Sequence, residues 1–214
     1  MRIKLDLRLL NALIELEMLD EYLDLIEAHI RASTKEAADE SRAQSYNLDR
    51  VDWHILNQRL DWRVEFVLSR VLRNSFLVTL FAVYETIVTE VANLVQKKTG
   101  VATSLSDIST PRAFTKRAKR YYKKEIRFDL STCNERWKRI RLLSYLRNAI
   151  VHRNGRIDMV ESRIDQILST PGVDDMLGFI TVSESLLRDT YGLVKADLDD
   201  LITRYKEWDA NQPV

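Results

Sequence analysis

Between Asp49 and Lys98 the chain runs for 50 residues without a proline or a glycine, and that stretch leaves few architectures open. Glycine and proline are the residues that stop helices and turn strands, so an interval this long without either reads as two helices or one long bent one. Its later part places Leu77, Leu80, Phe81, Tyr84, Val88, Val91 and Val95 at the three-and-four spacing that lines one helix face. Gly100 is the expected stop. The same scarcity holds throughout the 214 residues, which contain five Gly and three Pro, while Leu, Ala, Arg, Lys, Asp and Glu dominate. An all-α fold follows as the expectation, in a chain long enough to build a sizeable core. No segment repeats another at a fixed period, which disfavours a solenoid.

The remaining elements follow from the same reasoning. Residues 3 to 31 put Leu9, Leu10, Leu13, Leu16, Leu23 and Ile26 near helical spacing with acidic residues between them, as an amphipathic helix or helical pair. From Ser33 to Asn47 the chain turns small and polar, and reads either as a weak continuation of that helix or as a hinge. The expected division is therefore an N-terminal helical arm over 1–48 and a helical domain over 49–210. Residues 101 to 112 are rich in Ser and carry Pro111, marking a loop, and a basic helix follows through Thr115 to Lys124. Thr132 with Glu135 has capping-box spacing ahead of Trp137, and Ser131 is an alternative cap. A short helix around Asp158 to Leu168, a turn at Thr170 to Gly172 and a last helix from about Ser183 to Trp208 complete the reading. Phe179 to Val182 has strand character, but one isolated strand cannot make a sheet.

Net charge is only +1, yet Pro111 to Arg141 holds 12 Lys or Arg against 3 Asp or Glu, enough to present a basic surface on a neutral protein. Arg112, Lys116, Arg117, Lys119, Arg120, Lys123, Lys124 and Arg127 are interleaved with Phe114, Tyr121, Tyr122 and Phe128. Cations neutralise phosphates and rings stack on unpaired bases, so this segment is the expected RNA track. Read more plainly, it is a solvated helix face with its rings turned to the core. The single Cys133 cannot form an internal disulfide, and no His, Cys or carboxylate pattern specifies a metal. Charges interrupt the apolar residues of the amino terminus, which reads as neither a secretory signal nor a span, and a cytoplasmic, non-membrane protein is expected.

A nine-residue run from Arg147 to Gly155, RNAIVHRNG, closes the helix that starts near Trp137. Arg147, the polar Asn148 beside it and His152 five positions after the arginine form an R-x4-H motif, and Gly155 is placed to end the helix. This resembles the signature of the HEPN superfamily of helical RNA-cleaving and RNA-binding domains. The resemblance is sharp at 147–155 and diffuse elsewhere. It implies an antiparallel helical bundle that pairs about a two-fold axis with its motif helices facing, and metal-independent RNA cleavage without a cofactor. It also implies Arg147 and His152 as catalytic residues, with RNA as substrate and an antitoxin or effector protein as a possible partner in toxin or antiphage systems.

At about 100° per residue, Arg141, Tyr145, Asn148 and His152 share one face of an ideal helix, away from Leu142, Leu143, Leu146, Ala149 and Ile150. Asn148 is then placed to hold one imidazole nitrogen and fix the tautomer. Arg147 and His152 lie about 140° apart, so they meet only if the helix ends or bends near His152 or if the site joins two chains. Arg141 and Arg153 extend the expected RNA contacts, and Tyr145 supports the site. Glu85 falls among apolar neighbours by helical projection and calls for a partner, Arg147 or Arg73, or else forms a plain surface ion pair. Trp53, Trp62, Trp137 and Trp208 are expected as packing anchors, and Asp197, Asp199 and Asp200 as a solvated face. The rival readings are a non-catalytic HEPN module binding RNA, nucleotide or protein, and a structural adaptor whose acidic arm pairs with another chain.

Overall fold

The computed structural model describes residues 7–111, 113–159 and 163–212, so the candidate RNA contact Arg112 lies outside the described residues. The chain is all-α apart from one hairpin. Helix α1 spans Leu7–Gln44 without a break, so the polar stretch after Ser33 continues the helix. Leu9, Ala12, Leu16, Leu19, Leu23, Ile26 and Ile30 form its buried face. Leu7, Leu10, Ile14, Met18 and Leu25 lie exposed on the opposite side.

After a turn, Asp49 caps α2 (Arg50–Asp61), its carboxylate accepting from the Val51 and Asp52 amides at 2.8 and 2.9 Å. The helical path then runs on through a π-helical segment, Trp62–Leu68, into α3 (Ser69–Thr99). The widened turn is held by Ser69, whose buried hydroxyl donates to the carbonyl of Val64 at 2.9 Å. The fifty-residue interval is thus one long interrupted helix, and Gly100 ends it in the left-handed conformation (φ 71°). Its most apolar window has the length and hydropathy of a membrane span, and 44% of it is buried inside this fold. Phe76, Leu77, Leu80, Tyr84, Ile87, Val88, Val91 and Val95 pack there against α1 and the later helices, as a core helix does.

The basic helix α4 covers Phe114–Lys124 and the motif helix α5 covers Asn134–Arg153. The expected capping box at Thr132 does not form. Cys133 takes the cap position without a side-chain bond, because both candidate hydroxyls are used on the last helix: Ser131 donates to Asp197 at 3.0 Å and Thr132 to Asp200 at 3.3 Å. Past α5 come a short helical turn at Ile157–Met159, α6 (Ile164–Leu168) and two strands, β1 (Val173–Met176) and β2 (Phe179–Val182). The strands pair antiparallel with Val173 opposite Val182, so the apolar Phe179–Val182 run finds its partner in the preceding polar residues. Helix α7 (Glu184–Ala210) is capped by Ser183, whose hydroxyl accepts from the Leu186 amide.

Sequence expectations meet this packing at several points. Residues 9–30 of the supposed arm share the main core with α3, and a small separate cluster of Ala37, Leu60 and Val64 joins the second half of α1 to α2 and the π segment. Glu27 of α1 is buried and takes two 2.8 Å bonds from Arg73 of α3, which makes Arg73 a partner of Glu27 and leaves Glu85 to others. Trp137 is buried and Trp208 packs against the core, whereas Trp53 and Trp62 are exposed, Trp62 resting its ring on the buried Phe66 at 4.4 Å. Asp197 is the other reversal: it is 1% exposed, inside the contact of α3, α5 and α7. It accepts from Tyr84 and Ser131 and lies 3.7 Å from Arg136.

Candidate active site and RNA-facing groove

Helix α5 stays regular through Arg153, and only Asn154 (φ 51°) and Gly155 (φ 72°) turn left-handed. His152 therefore sits inside the helix rather than past a bend, and the angular gap between it and Arg147 persists. A clamp fixes the end. Gly155 accepts from the Ile180 amide at 2.7 Å, the Ile157 amide donates to Gly178 at 2.9 Å, and Arg70 of α3 donates to the Asn154 carbonyl at 3.2 Å. Arg70 also stacks over Phe66 and Phe179. The hairpin and α3 thus hold the end of the motif helix in place.

Arg147 turns inward toward α3, with 22% of its side chain exposed. Its guanidinium lies over the Phe81 ring, donates to Asn148 Oδ1 at 3.0 Å and stands 3.9 Å from Glu85. Its Nε is buried without an acceptor. Burial pushes the Glu85 carboxyl up from its usual range, and the fields of Arg147 and Arg117 pull against that shift. Glu85 is therefore a half-buried carboxylate facing two guanidinium groups from different helices, as the sequence reading allowed for Arg147. The Asn148 expectation is corrected: its side-chain carbonyl serves the neighbouring arginine and does not orient the imidazole. His152 is exposed, with no hydrogen bond or ion pair among the described residues.

On the face shared by Arg141, Tyr145 and His152, Arg141 donates to the Tyr145 hydroxyl at 3.2 Å and the Arg163 guanidinium covers the Tyr145 ring at 4.1 Å. Beside them a groove of about 650 Å³ opens between α4 and α5, lined by Lys116, Lys119, Arg120, Lys124, Lys138 and Arg141. One carboxylate, Glu135, lies among these cations and is paired with Lys138 at 2.6 Å. The groove is cationic, as a surface that attracts phosphates would be. Lys123 and Arg153 are exposed nearby in sequence, while Arg117 is half-buried against Phe114.

Tyr121 and Tyr122 are not part of that surface. Both are 0% exposed, with their hydroxyls donating to the carbonyls of Thr103 at 2.9 Å and Val88 at 2.6 Å. They cannot stack on bases. The helical period explains it: α4 alternates cations and rings so that Thr115, Ala118, Tyr121 and Tyr122 all turn inward. Arg163 and Arg70 were missed by sequence reasoning, since nothing local marks them and only tertiary contact brings them to α5. Among the described residues no group of three or more His, Cys, Asp or Glu side chains is placed to hold a metal ion. No known protein family matches the chain, and no curated protein or solved structure proved similar to it.

Proposed function

We propose that the protein is a metal-independent endoribonuclease of the HEPN type, cytoplasmic and acting as a paired chain in toxin or antiphage defence. The observation that carries this reading is the contrast within one motif. Arg147 is half-buried and organised by Asn148, Glu85 and Phe81, whereas His152 is exposed and without a partner among the described residues, on the helix face whose earlier residue Arg141 lines a cationic groove.

In the proposed reaction the 2′-oxygen of a ribose attacks the adjacent phosphorus while the bond to the 5′-oxygen breaks, leaving a 2′,3′-cyclic phosphate. One imidazole takes the 2′-hydroxyl proton and a protonated one supplies the 5′-oxygen, roles that two His152 side chains of a two-fold pair fill together. Arg147 neutralises charge on the phosphoryl oxygens with its planar fork. Because Arg147 and His152 of one chain point about 140° apart on a straight helix, pairing is what brings a guanidinium and an imidazole to the same phosphate. DNA lacks the attacking hydroxyl and is spared.

The test is cleavage of RNA in EDTA by purified protein, with analysis of the ends. His152→Ala is expected to lower the rate by about 10²–10⁴-fold, the range of general acid–base catalysis, while RNA affinity holds. RNA that survives intact with folded wild type refutes the reading. One observation favours a second one: Glu85 faces Arg147 from its own chain, and a guanidinium held this way suits a non-catalytic HEPN module that binds RNA without cutting. Undiminished RNA binding with no cyclic-phosphate product distinguishes it.

A further inference from the structure

The cluster around Tyr145 has no role in the proton transfers or in holding Arg147, yet it concentrates unneutralised charge on the same helix face as His152. We infer that Arg163 joins Arg141, Tyr145 and Lys116 in a phosphate-binding subsite that holds the RNA strand at a fixed distance from His152 and so selects which linkage is cut. This rests on the ribonuclease reading and deepens it.

The geometry supplies the parts of an anion site. Arg163 sits over the Tyr145 ring with its Cζ 4.1 Å from the centroid, a cation–π contact that holds the guanidinium in place while its N–H groups remain donors for a ligand. Arg141 reaches the Tyr145 hydroxyl at 3.2 Å. That hydroxyl accepts from Arg141 and keeps its own proton to donate onward. Lys116 and Arg141 both line the α4–α5 groove, and none of Lys116, Arg141 and Arg163 has a carboxylate partner among the described ion pairs. Partial burial pushes the Tyr145 phenol up, but the Arg141 bond and the fields of Arg141, Arg163 and Lys116 outweigh it and lower its pKa. The local potential is therefore positive enough to favour an anion.

Its position defines its use. Tyr145 and His152 are seven residues apart on one face of a straight helix, about 10 Å along the axis. A stacked strand rises about 3.4 Å per nucleotide, so a phosphate at Tyr145 lies about three linkages from the one at His152. Four donors on three separate segments, Lys116 on α4, Arg141 and Tyr145 on α5 and Arg163 before α6, make this a point contact rather than a diffuse attraction, which is what a measuring subsite requires.

The experiment uses full-length protein in a His152→Ala background, so that binding is read without cleavage, and a short fluorescein-labelled RNA carrying one uncharged methylphosphonate linkage stepped along the strand. The expected result is a position-specific loss of affinity of about tenfold, the scale of one charge-assisted contact, that disappears when Arg163→Ala is added. Arg163→Ala is also expected to reduce the salt slope by about 0.7, one phosphate contact on a single strand, and Arg163→Lys to restore most of it. With His152 intact, Arg163→Ala is expected to spread the cut over neighbouring linkages. Unchanged slope, cut positions and linkage penalties in Arg163→Ala overturn the subsite alone. Failure of wild type to bind RNA overturns both this inference and the ribonuclease reading.

Discussion

Replacing Arg73 by Met isolates a buried, doubly hydrogen-bonded ion pair between α1 and α3. The Glu27 carboxylate is 2% exposed and accepts two 2.8 Å bonds from Arg73, whose side chain is 22% exposed. Arg73→Met keeps an unbranched apolar stem but leaves a carboxylate buried between α1 and α3 without its cation. Breaking a buried pair in this way costs about 3–5 kcal/mol, mostly the desolvation of the orphaned charge. For a chain of this size each kcal/mol moves the midpoint by about 2–4 °C, so a Tm drop of roughly 6–20 °C is expected. Urea denaturation followed by circular dichroism measures it, with the slope m unchanged if the native state keeps its compactness. The companion variant Arg73→Met with Glu27→Leu removes both charges and is expected to recover most of the loss. A cost under about 1 kcal/mol for Arg73→Met, or a double variant no better than the single one, refutes the reasoning.

Three further outcomes follow from the geometry. Tyr122→Phe is expected to cost about 1 kcal/mol of stability by leaving the Val88 carbonyl without its hydroxyl and to leave RNA affinity alone, whereas Lys119→Ala with Arg120→Ala in the groove should weaken RNA binding at constant Tm. A filter-binding titration beside a melting curve separates the two. Burial holds the Asp197 carboxyl above its usual range despite Ser131 and Arg136. The folded state thus binds its proton more tightly than the unfolded one, and stability falls as pH rises from the unfolded pKa through the folded one. Asp197→Asn is expected to gain stability relative to wild type across that window, read from paired denaturation curves at acidic and neutral pH. Gly172 (φ 84°) leaves room for no side chain, since a Cβ would meet Ser183 Oγ at 2.4 Å and Leu186 Cβ at 2.8 Å. Gly172→Ala should therefore cost about 2–4 kcal/mol through strain and overpacking at the base of α7, visible as a lower urea midpoint.

What was legible in the residues and what was not divides by the range of the interaction. Helix content, the Gly100 stop, the basic helix over about Thr115 to Lys124, the motif helix and the last helix from about Ser183 are local: each follows from spacing, turn chemistry or a missing Cβ within one or two turns. Composition could not tell which rings of the basic helix face outward, because Tyr121 and Tyr122 are as apolar in sequence as any stacking platform. Their burial depends on α3 lying beneath them, where Val88 accepts the Tyr122 hydroxyl. Asp197 looked like one acid among three until Tyr84, Ser131 and Arg136 converged on it from other elements.

The candidate site splits along the same line. Residue order alone placed Arg141, Tyr145, Asn148 and His152 on one helix face and Arg147 off it, because a regular helix turns by a fixed angle per residue. The partners of these α5 residues are contacts between segments remote in sequence, decided by how the helices pack: Glu85 and Phe81 against Arg147, Arg163 over Tyr145, Arg70 and the hairpin at the helix end. Periodicity is a property of one segment and can be read along it, whereas a side chain's partner is set by the whole core and emerges only when the chain is folded.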